Sequence, residues 1–140
     1  MEKRNKLLLV DDDASCLLEY IGILKKDYEL STAKSGQAAI DRAEKAQPDL
    51  IVLDVIMPEM NGFDVIIKLK ESDLTKDIPV VFASGAESNE DERRGLELGA
   101  IDYIRKPIDE TIVSLRIKNH IDNINLLRDK DAVIDDLSSR

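Results

Sequence analysis

Three features of the sequence predict an α/β fold, a doubly wound parallel sheet with helices on both faces. Short apolar runs and helical patterns alternate five times along the 140 residues, and parallel strands each need a crossover helix. LLLV, LIVL and VVFA are apolar throughout, as strands covered on both faces are. YELSTA alternates and DYIR is short, so both belong at the sheet edges. The order 2-1-3-4-5 satisfies these constraints, with a switch point between the first and third strands.

The first strand is Lys6 to Val10, ending in Asp11-Asp12-Asp13. Ala14 to Lys26 then places Leu17, Ile21 and Leu24 at helical spacing, with Asp13 as N-cap. Tyr28 to Ala33 is a half-exposed strand. Ser35 caps a helix to Ala46 that carries Ala39, Ile40 and Ala43 on one face, and Gln47-Pro48-Asp49 stops it. Leu50 to Asp54 is the third strand, wholly apolar until its final acid. Asn61-Gly62 reads as a turn with a positive-φ glycine, followed by a helix from Phe63 to Glu71 with Phe63, Ile66, Ile67 and Leu69 apolar. Val80 to Ala83 is the fourth strand and runs into Ser84-Gly85. Ser88 to Leu98 opens on a Ser-x-x-Asp capping pattern and closes at Gly99. Gly95 inside it costs about 1 kcal/mol against alanine, so this helix is expected to be the least firmly held. Asp102 to Arg105 is the fifth strand, and the chain is helical from Asp109 almost to its end. This is the flavodoxin-like (βα)5 arrangement with an extended C-terminal helix.

Composition narrows the function. Hydrophobic residues at 43% and charged residues at 35% fit one globular domain with a sizeable core. A formal charge of −9 disfavours sequence-independent nucleic-acid binding. The single cysteine, Cys16, excludes an internal disulfide and fits a reducing compartment. The N-terminal apolar run is too short for a signal peptide and no segment approaches a membrane span, so a cytoplasmic location is expected. GxxxxGK[ST] and GxGxxG are both lacking, so nucleotide binding is not indicated.

In such folds the site lies beyond the carboxyl ends of the strands. Asp11, Asp12, Asp54, Ser84 and Lys106 all end strands here. Crowded carboxylates repel, so one binds a proton unless a cation neutralises the group. A highly charged, all-oxygen ligand set favours Mg²⁺. Lys106 adds positive charge and Ser84 a hydroxyl donor, which together can hold phosphoryl oxygens. A neighbouring carboxylate can then be the nucleophile that accepts the group.

The pieces LLLVDDD, LDVIMPEMNG, FASGA and DYIRKP, in this order, resemble the receiver domain of two-component response regulators over residues 5 to 122. The resemblance implies that Asp54 is the phosphoacceptor, Asp11 and Asp12 the acidic pair, and Asp12 the more direct Mg²⁺ ligand. It implies that the backbone carbonyl of Ile56 is a third protein ligand. Ser84 is then the switch hydroxyl, Tyr103 the switch aromatic and Lys106 the phosphoryl-binding lysine. The Lys106-Pro107 bond is often cis in such domains. Ile56 and Ala86 occupy the two variable positions beside the acceptor and the switch hydroxyl. Neither can orient a water, so slow self-dephosphorylation is expected.

The implied function is a phosphorylation-controlled switch that accepts a phosphoryl group from a sensor histidine kinase or phosphotransfer protein. The face formed by the fourth helix, fifth strand and fifth helix would then change shape. Two other readings remain. One is a Mg²⁺-dependent phosphatase or phosphotransferase, disfavoured by the lack of a DxDx[TV] strand end and of a cap segment. The other is an unphosphorylated scaffold, which would require loss of a site residue. His120 and Cys16 read as structural residues.

The receiver is expected to span residues 1–122 and a helical extension residues 123–140. Val113, Ile117, Ile124, Leu127 and Ile134 fall near 3-4 spacing, with His120 and Asp131 interrupting the seam. The extension is either a helix forming a parallel homodimer, a linker to an output domain, or a frayed amphipathic end. RIKNHIDNINLLRD resembles the exit helix of receivers that precede cyclic-di-GMP enzymes, a diguanylate cyclase or a phosphodiesterase. Five basic against seven acidic residues in 109–140 argue against a DNA-binding arm.

Overall fold

The computed structural model describes residues 4–85 and 89–138, with side chains described up to residue 129. Ala86, Ser88 and the side chains of Asp131 and Ile134, named above, lie outside them. The strands are β1 (Lys6–Val10), β2 (Glu29–Ala33), β3 (Leu50–Leu53), β4 (Val80–Ser84) and β5 (Asp102–Arg105). They alternate with α1 (Ala14–Leu24), α2 (Gly36–Ala46), α3 (Gly62–Glu71), α4 (Asn89–Glu97) and α5 (Glu110–Ser138). All four strand pairs are parallel, in the order β2-β1-β3-β4-β5. The edge and centre assignments made from the apolar runs are therefore correct.

The continuous apolar strands divide their side chains between two cores, as alternation along a strand requires. Leu8, Val10, Ile51, Leu53, Val80 and Phe82 face α2 and α3, meeting Ala39, Ala43, Phe63, Ile66 and Leu69. Leu7, Leu9, Leu50, Val52, Val81 and Ala83 face α1 and α5, meeting Leu17, Tyr20, Leu24, Val113 and Ile117. On α1 the third deeply buried residue is Tyr20, while Ile21 is only partly buried. On α3, Ile67 is exposed and Val65 is buried. Both corrections have one cause: hydrophobic spacing marks a broad face, and the helix rotation that fills the core selects the residues within it.

Local capping sets where helices begin. Asp13 caps α1 by accepting from the Ser15 N–H at 2.8 Å, and Ser35 caps α2 by accepting from the Ala38 N–H at 3.2 Å. Asn61 and Asp64 form a reciprocal capping box at the start of α3. Gly62 is thus the first residue of α3 rather than a positive-φ turn residue; among described glycines only Gly99, at φ 110°, has positive φ.

The α5 core stripe consists of Val113, Ile117 and Ile121, with Ile124 packed beside it. Val113 and Ile117 are fully buried on the sheet. They cannot also form an intermolecular seam, which reduces the exposed apolar residues on the far part of the helix to Leu126 and Leu127 among described side chains.

Candidate functional site

The parallel register brings the ends of the two central strands level. Val10 pairs with Leu53, and the Asp54 N–H donates to the Val10 carbonyl at 3.0 Å. Asp11 follows Val10 directly, so the two acids emerge side by side. One ligand oxygen each from Asp11, Asp12 and Asp54 lies within 4.8 Å of the others. Asp11 and Asp54 are buried, while Asp12 is open to solvent.

Lys106 comes to the same place from the far edge. Its N–H donates to the Ser84 carbonyl at 2.9 Å, which sets the loop after β5 against the end of β4. The ammonium then reaches across to Asp11 Oδ2 at 2.5 Å and Asp54 Oδ2 at 3.5 Å. The following Lys106-Pro107 peptide bond is cis. Ser84 is fully buried at the end of β4, on the strand that pairs with β3.

The electrostatics are those of an under-neutralised acid cluster. Burial is the largest cause pushing the Asp54 carboxyl up to about 6; Lys106 opposes it, and the Asp11 and Asp12 charges add to it. The Ile56 N–H lowers it by donating to Asp54 Oδ1 at 3.2 Å. For Lys106, burial opposes the charge, but its hydrogen bond to Asp11 and the charges of Asp54 and Asp11 leave its pKa above the ordinary value. One ammonium thus touches two of the three clustered carboxylates. The donor set is oxygen only, the geometry is compact and negative charge is in excess, so the site fits a hard divalent cation such as Mg²⁺.

Gly62 has a role that the sequence reading missed. A Cβ there would lie 2.3 Å from the Asp54 carbonyl oxygen and 2.9 Å from Val55 Cα. The absent side chain lets the start of α3 close directly over the Asp54 backbone, where the Gly62 N–H donates to the Val55 carbonyl at 2.8 Å. The intervening loop passes through Glu59 at φ 66°, a left-handed conformation uncommon outside glycine. In the same loop the Ile56 side chain, two residues after Asp54, stands 62% exposed. The sequence signal for Gly62 was its position immediately after the capping Asn61; a glycine at a helix start, where φ is ordinary, points to close approach.

Tyr103 is 3% exposed and lies in an aromatic row with Phe82 and Phe63. Burial raises its phenol pKa, partly offset by the neighbouring Ser84 hydroxyl, yet among the described residues no hydrogen bond within 3.5 Å closes on its oxygen. Gly95 of α4 rests on this row: a Cβ there would meet Phe82 Cδ2 at 2.8 Å. His120 is held by Asp102 at 2.9 Å, on the far side of β5 from the acids, and takes no part in the site. Cys16 is half-buried, and burial raises its thiol pKa.

The description of one protein family, the response regulator receiver domain, matches residues 7–118. Response regulator PleD of Caulobacter vibrioides is 40% identical over 136 residues, covering 96% of this chain and 28% of that protein. A "Probable cyclic di-GMP phosphodiesterase" of Vibrio cholerae is 36% identical, covering 91% of this chain and 28% of that protein. The Bacillus subtilis regulatory protein PhoP is 38% identical over 81% of this chain and 47% of its own length. The chain thus spans between about a quarter and half the length of these relatives. Among solved structures, Vibrio cholerae chemotaxis protein CheY4 superposes with a TM-score of 0.78 at 29% identity, covering 84% of this chain and 98% of that one. A CheY-like receiver domain protein of Methanospirillum hungatei gives 0.81 at 26%, covering 88% and 98%. The match runs from the first buried residue of β1 past Val113 and Ile117 of α5, and so takes in every strand end at the acid cluster. This chain belongs to the response regulator receiver domain family.

Proposed function

We propose that this receiver is a phosphorylation-controlled signalling switch in which Asp54 accepts a phosphoryl group from a phosphohistidine of a sensor histidine kinase or phosphotransfer protein. The observation that supports it best is the Lys106 ammonium, held between Asp11 and Asp54 at the mouth of the acid cluster. In the step, an Asp54 carboxylate oxygen forms the new P–O bond. The donor's N–P bond breaks, and its electron pair returns to the imidazole.

Asp11, Asp12, Asp54 and the Ile56 backbone carbonyl would hold Mg²⁺, which supplies charge neutralisation of the transferring oxygens. Lys106 takes the charge of one phosphoryl oxygen as its grip on Asp54 is exchanged for the new group. Ser84 turns its hydroxyl to another, and β4 and β5 adjust around it. Tyr103 already occupies the interior, so phosphorylation works by favouring that arrangement over others. The shape change reaches the face formed by α4, β5 and α5. The chain does no other chemistry, and the apolar Ile56 side chain leaves water unoriented beside Asp54, so the acyl phosphate is lost slowly.

The switch acts in the cytoplasm as the receiver, residues 1–122, of a longer regulator. Residues 123–140 lead to an output module, of the cyclic-di-GMP enzyme type by similarity to the Vibrio cholerae relative. Any homodimer or coiled coil formed by the extension uses residues beyond Ile124, starting with the exposed Leu126 and Leu127. Sedimentation at high micromolar concentration reads this directly, and a strictly monomeric chain with and without a phosphoryl analogue refutes it.

The central test is incubation with Mg²⁺ and acetyl phosphate followed by intact mass measurement. Wild type is expected to gain one phosphoryl group, and Asp54→Ala none. Continuous phosphate release without accumulation would instead support a phosphatase. Failure both to react and to bind a phosphoryl analogue would support a scaffold.

A further inference from the structure

The core stripe of α5 does not end where its apolar residues end. Val113, Ile117 and Ile121 recur every four residues, and the next positions on that face are Asn125 and then Arg128. These two polar side chains meet the amino edge of the sheet, opposite the acid cluster. The Asn125 and Asn5 amides pair reciprocally: Asn5 Nδ2 donates to Asn125 Oδ1 at 3.0 Å, and Asn125 Nδ2 donates to Asn5 Oδ1 at 3.2 Å. Arg128 Nη1 donates to Asp49 Oδ1 at 2.6 Å. Asp49 is in turn fixed by the Lys6 N–H at 2.7 Å and by Asn5 Nδ2 at 3.3 Å, both on its Oδ2. Asn5 precedes β1 and Asp49 precedes β3, so the contact is with the two central strands themselves.

We propose that Asn5, Asp49, Asn125 and Arg128 form a polar clasp that extends the rigid body of the receiver to Arg128 and fixes the direction in which the exit helix leaves it. The extension then begins to act independently about two turns beyond Ile121, not at residue 123. Three features separate the clasp from an ordinary surface ion pair, which contributes little. The Asp49 end of its bond to Arg128 is shielded, at 17% exposed against 55% for Arg128. The partners lie 79 and 120 positions apart in sequence, so they are tertiary contacts and not pairs within one helix. The Asp49 carboxyl also stays below its ordinary pKa: burial pushes it up, but the Lys6 N–H, Arg128 and Asn5 outweigh that. The clasp does not rest on the reading of Asp54 as phosphoacceptor, so its test needs no phosphoryl donor.

The test is amide hydrogen exchange on the full 140-residue chain, comparing wild type with Arg128→Ala and Asn125→Ala. Alanine has the highest helix propensity, so any loss of protection cannot come from the helix's own preference. The expected result is exchange about five- to tenfold faster at residues 123–128 in each variant, with β1, β3 and α3 unchanged. Unchanged exchange at 123–128 in both variants would overturn the proposal. So would a rise spread evenly over the whole chain, which would mean global destabilisation in place of a local clasp.

Discussion

Asp54 shows most plainly how burying one carboxyl among other acids costs stability. Its pKa near 6 lies above the ordinary carboxylate value because burial and two neighbouring acids outweigh the help from Lys106. The folded state therefore holds the Asp54 proton more tightly than the unfolded chain does. This contribution to stability is fully present below about pH 4 and is lost as pH rises through about 6. In EDTA, urea unfolding between pH 4 and pH 7.5 is expected to cost wild type roughly 2 kcal/mol relative to Asp54→Asn, which cannot titrate there. A difference that stays constant with pH would refute this electrostatic account. Gly62 is the complementary case, a residue whose role lies in having no side chain. Gly62→Ala places a methyl 2.3 Å from the Asp54 carbonyl oxygen, and neither backbone can yield without moving Asp54. The expected loss is about 2–3 kcal/mol in denaturant unfolding, with slower labelling by acetyl phosphate in the fraction that remains folded.

At the scale of elements, α4 buries the fewest residues of the helices, and its one buried residue acts differently from what its sequence suggests. Helix propensity alone makes Gly95 a defect, and Gly95→Ala would then stabilise by about 1 kcal/mol. In the fold, Gly95 is the only buried residue among those described in α4, and it rests on Phe82. Phe82 is fully buried between Phe63 and Tyr103, with ring centroids 5.5 Å and 6.2 Å away, and has no free space to turn into. Arg94 adds a cation–π contact with Phe63 at 4.7 Å, so two adjacent residues of α4 touch the same aromatic row. The packing term exceeds the propensity term: Gly95→Ala is expected to lower stability by roughly 1–2 kcal/mol in a urea titration. A stabilised variant would show that α4 can lift off the row without penalty.

Over the whole molecule, the two central strands carry the acid cluster at one end and the clasp at the other: Asn5 and Asp11 flank β1, and Asp49 and Asp54 flank β3. Only one of these ends was legible in the sequence. Each strand's apolar run stops at a chemically distinct residue, so Asp11, Asp54, Ser84 and Lys106 announce a shared edge once the sheet order is known. Asn5, Asp49, Asn125 and Arg128 announce nothing, because amides and exposed charges are the ordinary content of strand starts and helix faces. Their meeting depends on how far α5 extends and how it is rotated, which hydrophobic spacing leaves loose. The same looseness hid Tyr20 and made Val113 and Ile117 look available for a dimer seam. This architecture constrains how a signal can travel. β3 is fully buried between two close-packed layers, as is β1 from Leu7 onward, and close packing resists sliding. α4 has a single buried glycine, and β5 is an edge strand. A change at the acid cluster is therefore expected to appear in α4 and β5 while leaving the clasp intact. Hydrogen exchange with Mg²⁺ and beryllofluoride, against Mg²⁺ alone, reads both regions in one experiment. Protection should change at residues 89–105 and stay constant at residues 123–128. An equal change in the two regions would mean that the central strands transmit the signal along their length, and that the exit helix is released at its anchor and not turned with the receiver as one body.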